Sequence, residues 1–336
     1  MPDEVRRILV IRPGGLGDAA LTYPMLQALR QGYPDARIDI LAERRNAGIY
    51  RIADIVAEIY RYDSGVLGVL RRLRDKRYDI VIDTEQFHHF STVFANLLRP
   101  KYLCGFDTLG RKRFQTHSVP YRDETYEARS FIGLAEAVLG SEIAFDPDRP
   151  FIDVDPGARA WAAETMAAAQ GRKVAVIAPV AGGASRLWPA VRYAEVAAWL
   201  IDRQYYVVLL GGRDGIEAAR EIVDRNRSGT VLNLAGKTSL VQSAAVLQRA
   251  GLSVSADTGV LHLAYGVGTP TVSLFGSGLH RKWGPPGRYH RIVRKGLSCS
   301  PCIRFGRLPP CPHDIACMRE LSARDVIDAI GDLSAG

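Results

Sequence analysis

This chain of 336 residues contains few cysteines and no long apolar run. No apolar run approaches the ~18 residues that a membrane-spanning helix requires, and residues 1–4 lead into a strand-like run without the pattern of a signal peptide. Five cysteines are too few for a disulfide scaffold. The chain is 47% hydrophobic and 24% charged, which excludes an intrinsically disordered protein. We expect a cytoplasmic globular protein, and the length favours two domains.

Acidic residues are outnumbered, because 36 Asp and Glu stand against 44 Lys and Arg, a net charge of +8. The excess favours an anionic partner, such as nucleic acid, acidic lipid or a phosphorylated substrate, without selecting among them. The most basic segment, at 71–77, is typical of a solvated helix face. Binding of an acidic or phosphorylated glycolipid is the sharper alternative for that segment.

The first part of the chain has the pattern of a nucleotide-binding α/β fold. An apolar run at 8–11 leads into a glycine-rich turn at 13–18, a helical stretch at 19–31 and a second strand at 38–41. A further apolar strand is predicted at 80–83. Two parallel strands joined by a helix make a βαβ unit, which indicates a parallel sheet.

The same architecture begins again in the second half. A strand at 174–177 is followed by a glycine turn, a helix at 191–202 and a strand at 206–210. The intervening segment, 145–157, is rich in Asp and Pro and is predicted to be the linker. We therefore expect an α/β protein with two Rossmann-like, doubly wound domains facing a central cleft, at 1–155 and 156–336. Whether the last helix packs back on the first domain is left open.

The glycine turn at 13–18 ends in Asp18, for which two roles are open. Glycines at a strand-to-helix turn let backbone N–H groups approach a ligand, and the helix N-terminus favours negative charge. The turn lacks the dinucleotide fingerprint G-x-G-x-x-G, and the nearest acidic residue after the second strand is Glu43. Asp18 is therefore either a residue that complements the helix dipole or a general base.

Two later segments could bind an anion. Asp257, Thr258 and Gly259 lie between an apolar strand at 252–254 and a short helix that carries His262, and free N–H groups at that helix start suit a phosphate. A lone helical histidine is more often a packed residue than a ligand. Arg186 follows the second glycine turn and is either a surface residue or a partner for a diphosphate.

Taken in order, these segments resemble glycosyltransferase family 9, the ADP-heptose:lipopolysaccharide heptosyltransferases. The resemblance extends over most of the chain and implies a GT-B fold. It also implies inverting transfer from a nucleotide-diphosphate sugar, without a cofactor or a catalytic metal. The matching segments are 8–18, 78–83, Arg186-x-Trp188-Pro189, 234–240, Asp257-Thr258-Gly259-x-x-His262-Leu263-Ala264 and Phe275-Gly276.

The resemblance implies a role for each matching residue. Asp18 corresponds to the general base, and Arg186 falls where family members commonly carry lysine. Glu217 lies near the acidic position that meets the donor ribose, with Asp214 as the competing candidate. The expected donor-binding residues are Gly15, Gly17, Arg186, Glu217, Asp257, Thr258, Gly259 and His262.

The expected partners are a nucleotide-diphosphate sugar, with ADP-heptose favoured, and an anionic glycolipid acceptor. Peripheral contact with the inner membrane is left open, and nucleic acid is not expected. A non-catalytic bilobal nucleotide- or sugar-binding protein and an NAD-linked oxidoreductase are the alternatives. A D-x-D pair, Asp153 and Asp155, could indicate metal-dependent transfer but lies in the predicted linker. Four cysteines could hold zinc, form a labile disulfide or stay reduced: Cys299, Cys302, Cys311 and Cys317.

Overall fold

The computed structural model describes residues 4–180, 182–226, 229, 231–303 and 307–334. The chain divides into two compact units, Met1–Asp146 and Pro147–Gly336. Each unit is built on its own parallel β-sheet.

The first unit contains a six-stranded sheet in the order β3-β2-β1-β4-β5-β6. Its central strands are apolar and buried, as parallel strands covered on both faces must be. The strands are β1 (Arg7–Ile11), β2 (Arg37–Ala42), β3 (Glu58–Arg61), β4 (Ile80–Asp83), β5 (Tyr102–Phe106) and β6 (His117–Val119). The helices are α1 (Leu16–Leu21), α2 (Tyr23–Gly32), α3 (Val66–Asp75), α4 (His89–Leu97) and α5 (Glu127–Leu139).

The second unit contains a six-stranded sheet in the order β12-β11-β10-β7-β8-β9. The helix α6 (Pro156–Thr165) precedes its strands, which are β7 (Val174–Ala178), β8 (Tyr206–Leu209), β9 (Val231–Asn233), β10 (Leu252–Ala256), β11 (Thr271–Leu274) and β12 (His290–Val293). The other helices are α7 (Ala190–Asp202), α8 (Ile216–Asn226), α9 (Leu240–Arg249), α10 (Gly259–Gly266), α11 (His280–Trp283), α12 (Ala316–Arg319) and α13 (Ala323–Ser334).

Both sheets have the doubly wound Rossmann strand order. The order reverses between β1 and β4 in the first sheet and between β7 and β10 in the second. Ligands of such folds bind beyond the carboxyl ends of the strands at this reversal, called the switch point. The α/β prediction with two Rossmann-like domains is confirmed.

The segment before α6 packs on the second unit. The backbone N–H groups of Phe151 and Ile152 both donate to the Gly266 carbonyl, at 2.8 Å each. The Tyr265 hydroxyl donates to the Pro147 carbonyl at 3.0 Å. These bonds explain why the division follows Asp146 and not residue 155, inside the segment predicted as the linker.

The helix predicted at 19–31 is two helices. It begins earlier, at Leu16, and breaks at Thr22, whose hydroxyl donates to the Ala19 carbonyl at 2.7 Å. Pro24, in the first turn of α2, has no N–H to continue the ladder of α1. Asp18 consequently lies in the first turn of a helix of only six residues.

The last helix, α13, packs on β11, β12 and α7 of the second unit. Its buried side chains Ala323, Val326 and Ile330 belong to the same apolar core as Trp188. Among the described residues, no helix is long and apolar enough to cross a bilayer.

Candidate active site

Asp18 lies at the switch point of the first sheet, just after the carboxyl end of β1. Its side chain is 25% exposed, and its Oδ2 lies 3.5 Å from Nη2 of Arg12. The glycine turn between β1 and α1 brings these two residues together, although six positions separate them in sequence. The arrangement presents a carboxylate that solvent can reach, backed by a cation.

Arg12 is that backing cation, and sequence reasoning missed it. Its guanidinium donates to the Thr84 carbonyl at 2.8 Å and to the Pro13 carbonyl at 2.6 Å, and it lies 5.4 Å from the ring centre of Phe131. Burial opposes its charge, but nearby carboxylates, that of Asp18 first among them, raise the pKa of Arg12 above its ordinary value. The available signal was an arginine placed directly after a wholly apolar strand.

Gly14 makes room for this guanidinium. Its φ of +97° favours glycine, and a Cβ there would lie 2.9 Å from Nη2 of Arg12. Its N–H donates to Oε1 of Glu43 at 3.2 Å. Burial would raise the pKa of Glu43, but hydrogen bonds from Tyr62 and Arg45 lower it. Glu43 therefore anchors the turn as a carboxylate.

The second switch point holds a cation and a carboxylate of its own. Asp257 directly follows β10, and Arg186 follows β7, the neighbouring strand. Nε of Arg186 lies 3.3 Å from Oδ2 of Asp257, and Nη1 donates to the Asp257 carbonyl at 3.3 Å. Nε2 of His262, one turn into α10, lies 3.7 Å from Oδ1 of Asp257. The structure therefore joins Arg186 to Asp257, which lies 71 positions further along the chain, and to His262.

Several buried polar atoms at this point have no hydrogen-bond partner in the described part of the chain. They are Oγ1 of Thr258 and Nδ1 of His262, whereas Oδ2 of Asp257 makes no hydrogen bond but faces Nε of Arg186 in the ion pair. Thr258 is the N-cap residue of α10, yet its hydroxyl makes no capping bond. Buried polar groups are rarely left unpaired, so these atoms indicate a place where a bound ligand supplies the missing partners.

The loop after β11 lies against the same carboxylate. A Cβ on Gly278 would lie only 2.4 Å from Oδ2 of Asp257, so this position requires glycine. The Ser277 hydroxyl lies 3.2 Å from the Ser185 hydroxyl, beside Arg186. The sequence analysis matched Phe275-Gly276 at the start of this loop but missed its contact with Ser185, because that contact joins residues 92 positions apart.

Comparison with known proteins identifies the family. The sequence model of glycosyltransferase family 9 (heptosyltransferase) matches residues 66–310, well over half of the chain. The chain belongs to this family. It is a glycosyltransferase, as the resemblance implied, and not an NAD-linked oxidoreductase or a non-catalytic binding protein.

Relatives of known structure or curated function agree with this assignment. Lipopolysaccharide heptosyltransferase 3 of Escherichia coli K12 is 29% identical over 294 residues, covering 80% of this chain and 82% of the relative. The ADP-heptose lipopolysaccharide heptosyltransferase II of E. coli has a TM-score of 0.78 at 22% identity, covering 97% of this chain and 98% of that one. A family 9 glycosyltransferase of Veillonella parvula has a TM-score of 0.81 at 22% identity, covering 100% and 99%. The predicted GT-B fold is confirmed.

The other expected donor residues of this family 9 protein belong to other elements of the fold. Gly15 is the N-cap residue of α1 and Gly17 lies in its first turn, both in the first unit beside Asp18. Glu217 is exposed in the first turn of α8. Within the described residues, neither Glu217 nor Asp214 forms an ion pair or hydrogen bond with Arg186, Asp257 or His262. The roles of Gly15, Gly17 and Glu217 stay predictions, as do those of Asp18, Arg186, Asp257, Thr258, Gly259 and His262.

Two motif residues have structural roles. Trp188 of the family's R-x-W-P segment is buried, and its Nε1 donates to the Leu321 carbonyl at 2.9 Å. Asp155 of the D-x-D pair is the N-cap residue of α6 and accepts from the Ala158 N–H at 3.0 Å. Ser239 and Gln242 form the predicted capping box of α9.

The C-terminal cysteines are free thiols in the structure. Burial raises the pKa of Cys302 and of Cys317, and the other thiols of the group add to both shifts. Over the described residues, no three His, Cys, Asp or Glu side chains are arranged to hold a metal ion.

Proposed function

We propose that this glycosyltransferase transfers a heptose from ADP-heptose to a lipopolysaccharide core acceptor, with inversion at the anomeric carbon and without a catalytic metal. The names of its relatives support the sugar, the donor and the acceptor class. The observation that carries the proposal is the group Arg186, Asp257 and His262 at the start of α10, with its unpaired buried polar atoms.

The second unit binds the donor diphosphate in this proposal. Arg186 is 27% exposed, so its guanidinium can reach a ligand while Asp257 holds it in place. The free N–H groups at the start of α10, at Thr258 and Gly259, favour an anion. The Thr258 hydroxyl can donate to a phosphate oxygen, and the Asp257 carboxylate can accept from a donor hydroxyl. Glu217 is assigned to the donor ribose. Gly15 and Gly17, in the first unit, are assigned to donor binding.

The first unit supplies the base. Asp18 accepts the proton of the acceptor hydroxyl as that oxygen attacks the anomeric carbon from the face opposite the diphosphate. The new glycosidic C–O bond forms while the bond to the diphosphate oxygen breaks, and its electron pair leaves with the nucleotide. Arg186 and the α10 N–H groups stabilise the negative charge that develops on the departing diphosphate. The charge is thereby balanced without a metal ion.

The acceptor is an anionic glycolipid in this proposal. A protein of net charge +8 is attracted to such a molecule and to the anionic surface that holds it. We infer peripheral contact with the cytoplasmic face of the inner membrane, where such an acceptor is presented.

A thermal-shift panel tests the donor. ADP-heptose should raise the Tm in proportion to the logarithm of its concentration, as linkage requires, and UDP- and GDP-sugars at the same concentrations should not. Arg186→Met should abolish most of the shift, whereas Arg220→Met, an exposed arginine on α8, serves as the matched control and should retain it. Selective stabilisation by a UDP- or GDP-sugar would overturn the donor assignment.

Turnover tests the reaction. The wild-type protein should convert ADP-heptose and a lipopolysaccharide core acceptor to ADP and product of inverted configuration, read by NMR of the new anomeric centre. EDTA should leave the rate unchanged. Retained configuration would exclude the single displacement at Asp18, and loss of turnover restored by Mg²⁺ or Mn²⁺ would show a metal-dependent enzyme.

A further inference from the structure

The first unit exposes a cluster of large apolar side chains. Ten large hydrophobic residues are exposed among the described residues, and six of them belong to α3, α4 and the segment Thr108–Phe114. Exposed apolar side chains scattered singly are ordinary, but a concentration on adjacent elements marks an interaction surface. We name this the α3–α4 face; it consists of Val66, Leu67, Phe90, Val93, Leu97 and Leu109.

These elements are neighbours in space. The rings of Phe90 and Tyr62, just before α3, have centres 5.6 Å apart. The side chain of His89 lies 3.0 Å from the Leu109 carbonyl, and that of Asn96 donates to the Phe114 carbonyl at 3.2 Å. The three apolar segments therefore form one surface.

The apolar side chains of α4 follow a helical stripe. Phe90, Val93 and Leu97 are spaced three and four residues apart and are 49%, 46% and 49% exposed. The buried side chains of α4, including Phe94 and Ala95, face the sheet. An α4 that only covered the sheet would carry polar residues at the three outward positions.

Basic side chains border the α3–α4 face. Arg71 and Arg74 are exposed and follow Leu67 by four and seven residues, so they lie on its side of α3. Lys112 and Arg113 are exposed shortly after Leu109. Arg72 and Lys76, in contrast, are tied to Glu58 at 2.6 and 2.9 Å. Apolar side chains bordered by exposed cations fit the interface of an anionic bilayer.

The geometry points to the α3–α4 face as a docking surface for an anionic lipid bilayer. The apolar side chains enter the acyl boundary, while Arg71, Arg74, Lys112 and Arg113 meet the phosphate head groups. A protein partner would need a defined complementary shape, whereas this face offers a run of aliphatic and aromatic side chains with exposed cations around it. The sequence singled out only the basic run, because the apolar part is assembled from three separate segments.

The docking surface adjoins the edge of the sheet that carries Asp18. Asp83, at the carboxyl end of β4, accepts hydrogen bonds from Ser91 and Thr92 of α4 at 3.0 and 2.6 Å. Asp83 also lies opposite Ile11 in the pairing of β4 with β1, where the turn to Asp18 begins. Docking would bring lipid head groups to that edge, which suits a lipid-linked acceptor; this last step rests on the proposed function.

Vesicle cosedimentation of the full-length protein tests the docking surface. The wild type should bind vesicles of phosphatidylglycerol and phosphatidylethanolamine much more tightly than phosphatidylcholine vesicles, and binding should weaken with salt. Leu67→Ser with Phe90→Ser and Val93→Ser should lower the partition coefficient at least tenfold. Arg71→Gln with Arg74→Gln should lower it about fivefold per arginine and remove the preference for anionic lipid.

The matched control places the same kinds of change on the second unit. Leu308→Ser with Arg220→Gln, both exposed in the wild type, should leave vesicle binding unchanged. Wild-type protein that does not bind anionic vesicles, or face variants that bind as the wild type does, would overturn the docking surface. An equal loss of vesicle binding in the control variant would also overturn the docking surface, since binding would then depend on net charge and not on this face.

The thermal shift with soluble ADP-heptose separates this inference from the proposed function. Every face variant should fold and show the full donor shift, because none of its substitutions touches Arg186 or Asp257. Vesicle binding by a wild type that shows no donor shift would support the docking surface and contradict the proposed donor.

Discussion

Each of the two switch points contains an arginine and an aspartate, but the member of the pair that solvent reaches differs between them. In the first unit the cation Arg12 is buried, at 2% exposure, and the carboxylate Asp18 is 25% exposed. In the second unit the carboxylate Asp257 is 5% exposed and the cation Arg186 is 27% exposed. One unit therefore presents a carboxylate backed by an arginine, and the other presents an arginine backed by a carboxylate.

This exchange separates what the fold provides from what individual residues provide. The same strand order places a polar pair at the carboxyl edge of both sheets. Which member reaches solvent decides the chemistry, because an exposed carboxylate can accept a proton whereas an exposed guanidinium binds phosphate. The following predictions, ordered by expected effect, test this division of roles.

The largest effect is expected at the exposed carboxylate. Asp18→Asn keeps the size of the side chain and removes its basicity, so kcat should fall by about 10²–10⁴. Steady-state turnover with saturating donor and acceptor measures the effect. Asp35→Asn, an exposed aspartate of the same unit, should retain normal turnover. An Asp18→Asn enzyme with near-normal kcat would leave Asp18 as a helix-terminal residue and nothing more.

Removal of the exposed guanidinium should weaken donor binding next. Arg186→Met loses charge-assisted hydrogen bonds of about 1.5–3 kcal/mol, which corresponds to a Kd for ADP-heptose about 10–100-fold higher. Arg186→Lys keeps the positive charge but loses the planar guanidinium, so its Kd for ADP-heptose should lie between those of the wild type and Arg186→Met. Titration calorimetry gives the three values. Equal Kd values for Met and wild type would place the diphosphate elsewhere.

A methyl group at Gly278 should disturb the buried carboxylate behind Arg186. The 2.4 Å approach of a Cβ to Oδ2 of Asp257 forces a shift, and overpacking of this kind costs about 1–3 kcal/mol. Gly278→Ala should therefore lower the Tm and weaken donor binding together. The control is Gly331→Ala in α13, where a Cβ has open space. If Gly278→Ala matched this control, the loop would not support the donor site.

The D-x-D pair should affect stability and not transfer. Asp155→Ala removes the cap of α6 and should cost about 1 kcal/mol of the free energy of unfolding. The rate per folded molecule should stay normal, with or without EDTA, since no step of the proposed transfer uses this residue. Denaturant unfolding and turnover measured on the same sample separate the two effects. A selective loss of turnover would argue for metal-dependent transfer.

The smallest effect concerns α13 and acid stability. Burial would raise the pKa of Asp325, but hydrogen bonds from Lys295 and Ser322 lower it to about 2. A depressed pKa contributes stability above the unfolded value of about 3.9, and this contribution is lost as the pH falls towards 2. The Tm difference between wild type and Asp325→Asn should therefore shrink from pH 5 to pH 2. A constant difference would show that ionisation of Asp325 is not what stabilises the helix start.

The sequence was sufficient for the repeated architecture and for placing Asp18, Asp257 and His262 beside the carboxyl ends of strands, while their catalytic and binding roles stay predictions. Their signals are local: apolar runs such as 8–11 form buried strands, and a polar group directly after such a strand lies at the carboxyl edge. The capping box of Ser239 and Gln242 is local in the same sense. Most patterns within a few residues of each other were therefore read correctly, but the break at Thr22, beside Pro24, was missed although it is local.

Features that depend on distant residues could not be predicted in this way. The position of Arg12 after an apolar run is a local signal, but its hydrogen bond to Thr84 spans 72 positions, and Ser277 meets Ser185, 92 positions away. The segment before α6 looks like a linker because of its Asp and Pro, yet Phe151 and Ile152 bind it to Gly266.

The exchange of exposed groups is tested most directly by measuring the Kd for ADP-heptose and the kcat on the same two variants. The account predicts that Asp18→Asn binds the donor within about twofold of wild type while kcat falls by about 10²–10⁴. It predicts that Arg186→Met binds the donor about 10–100-fold more weakly. If Asp18→Asn lost donor binding as severely as turnover, or if Arg186→Met bound the donor normally, the division of roles between the two switch points would be wrong.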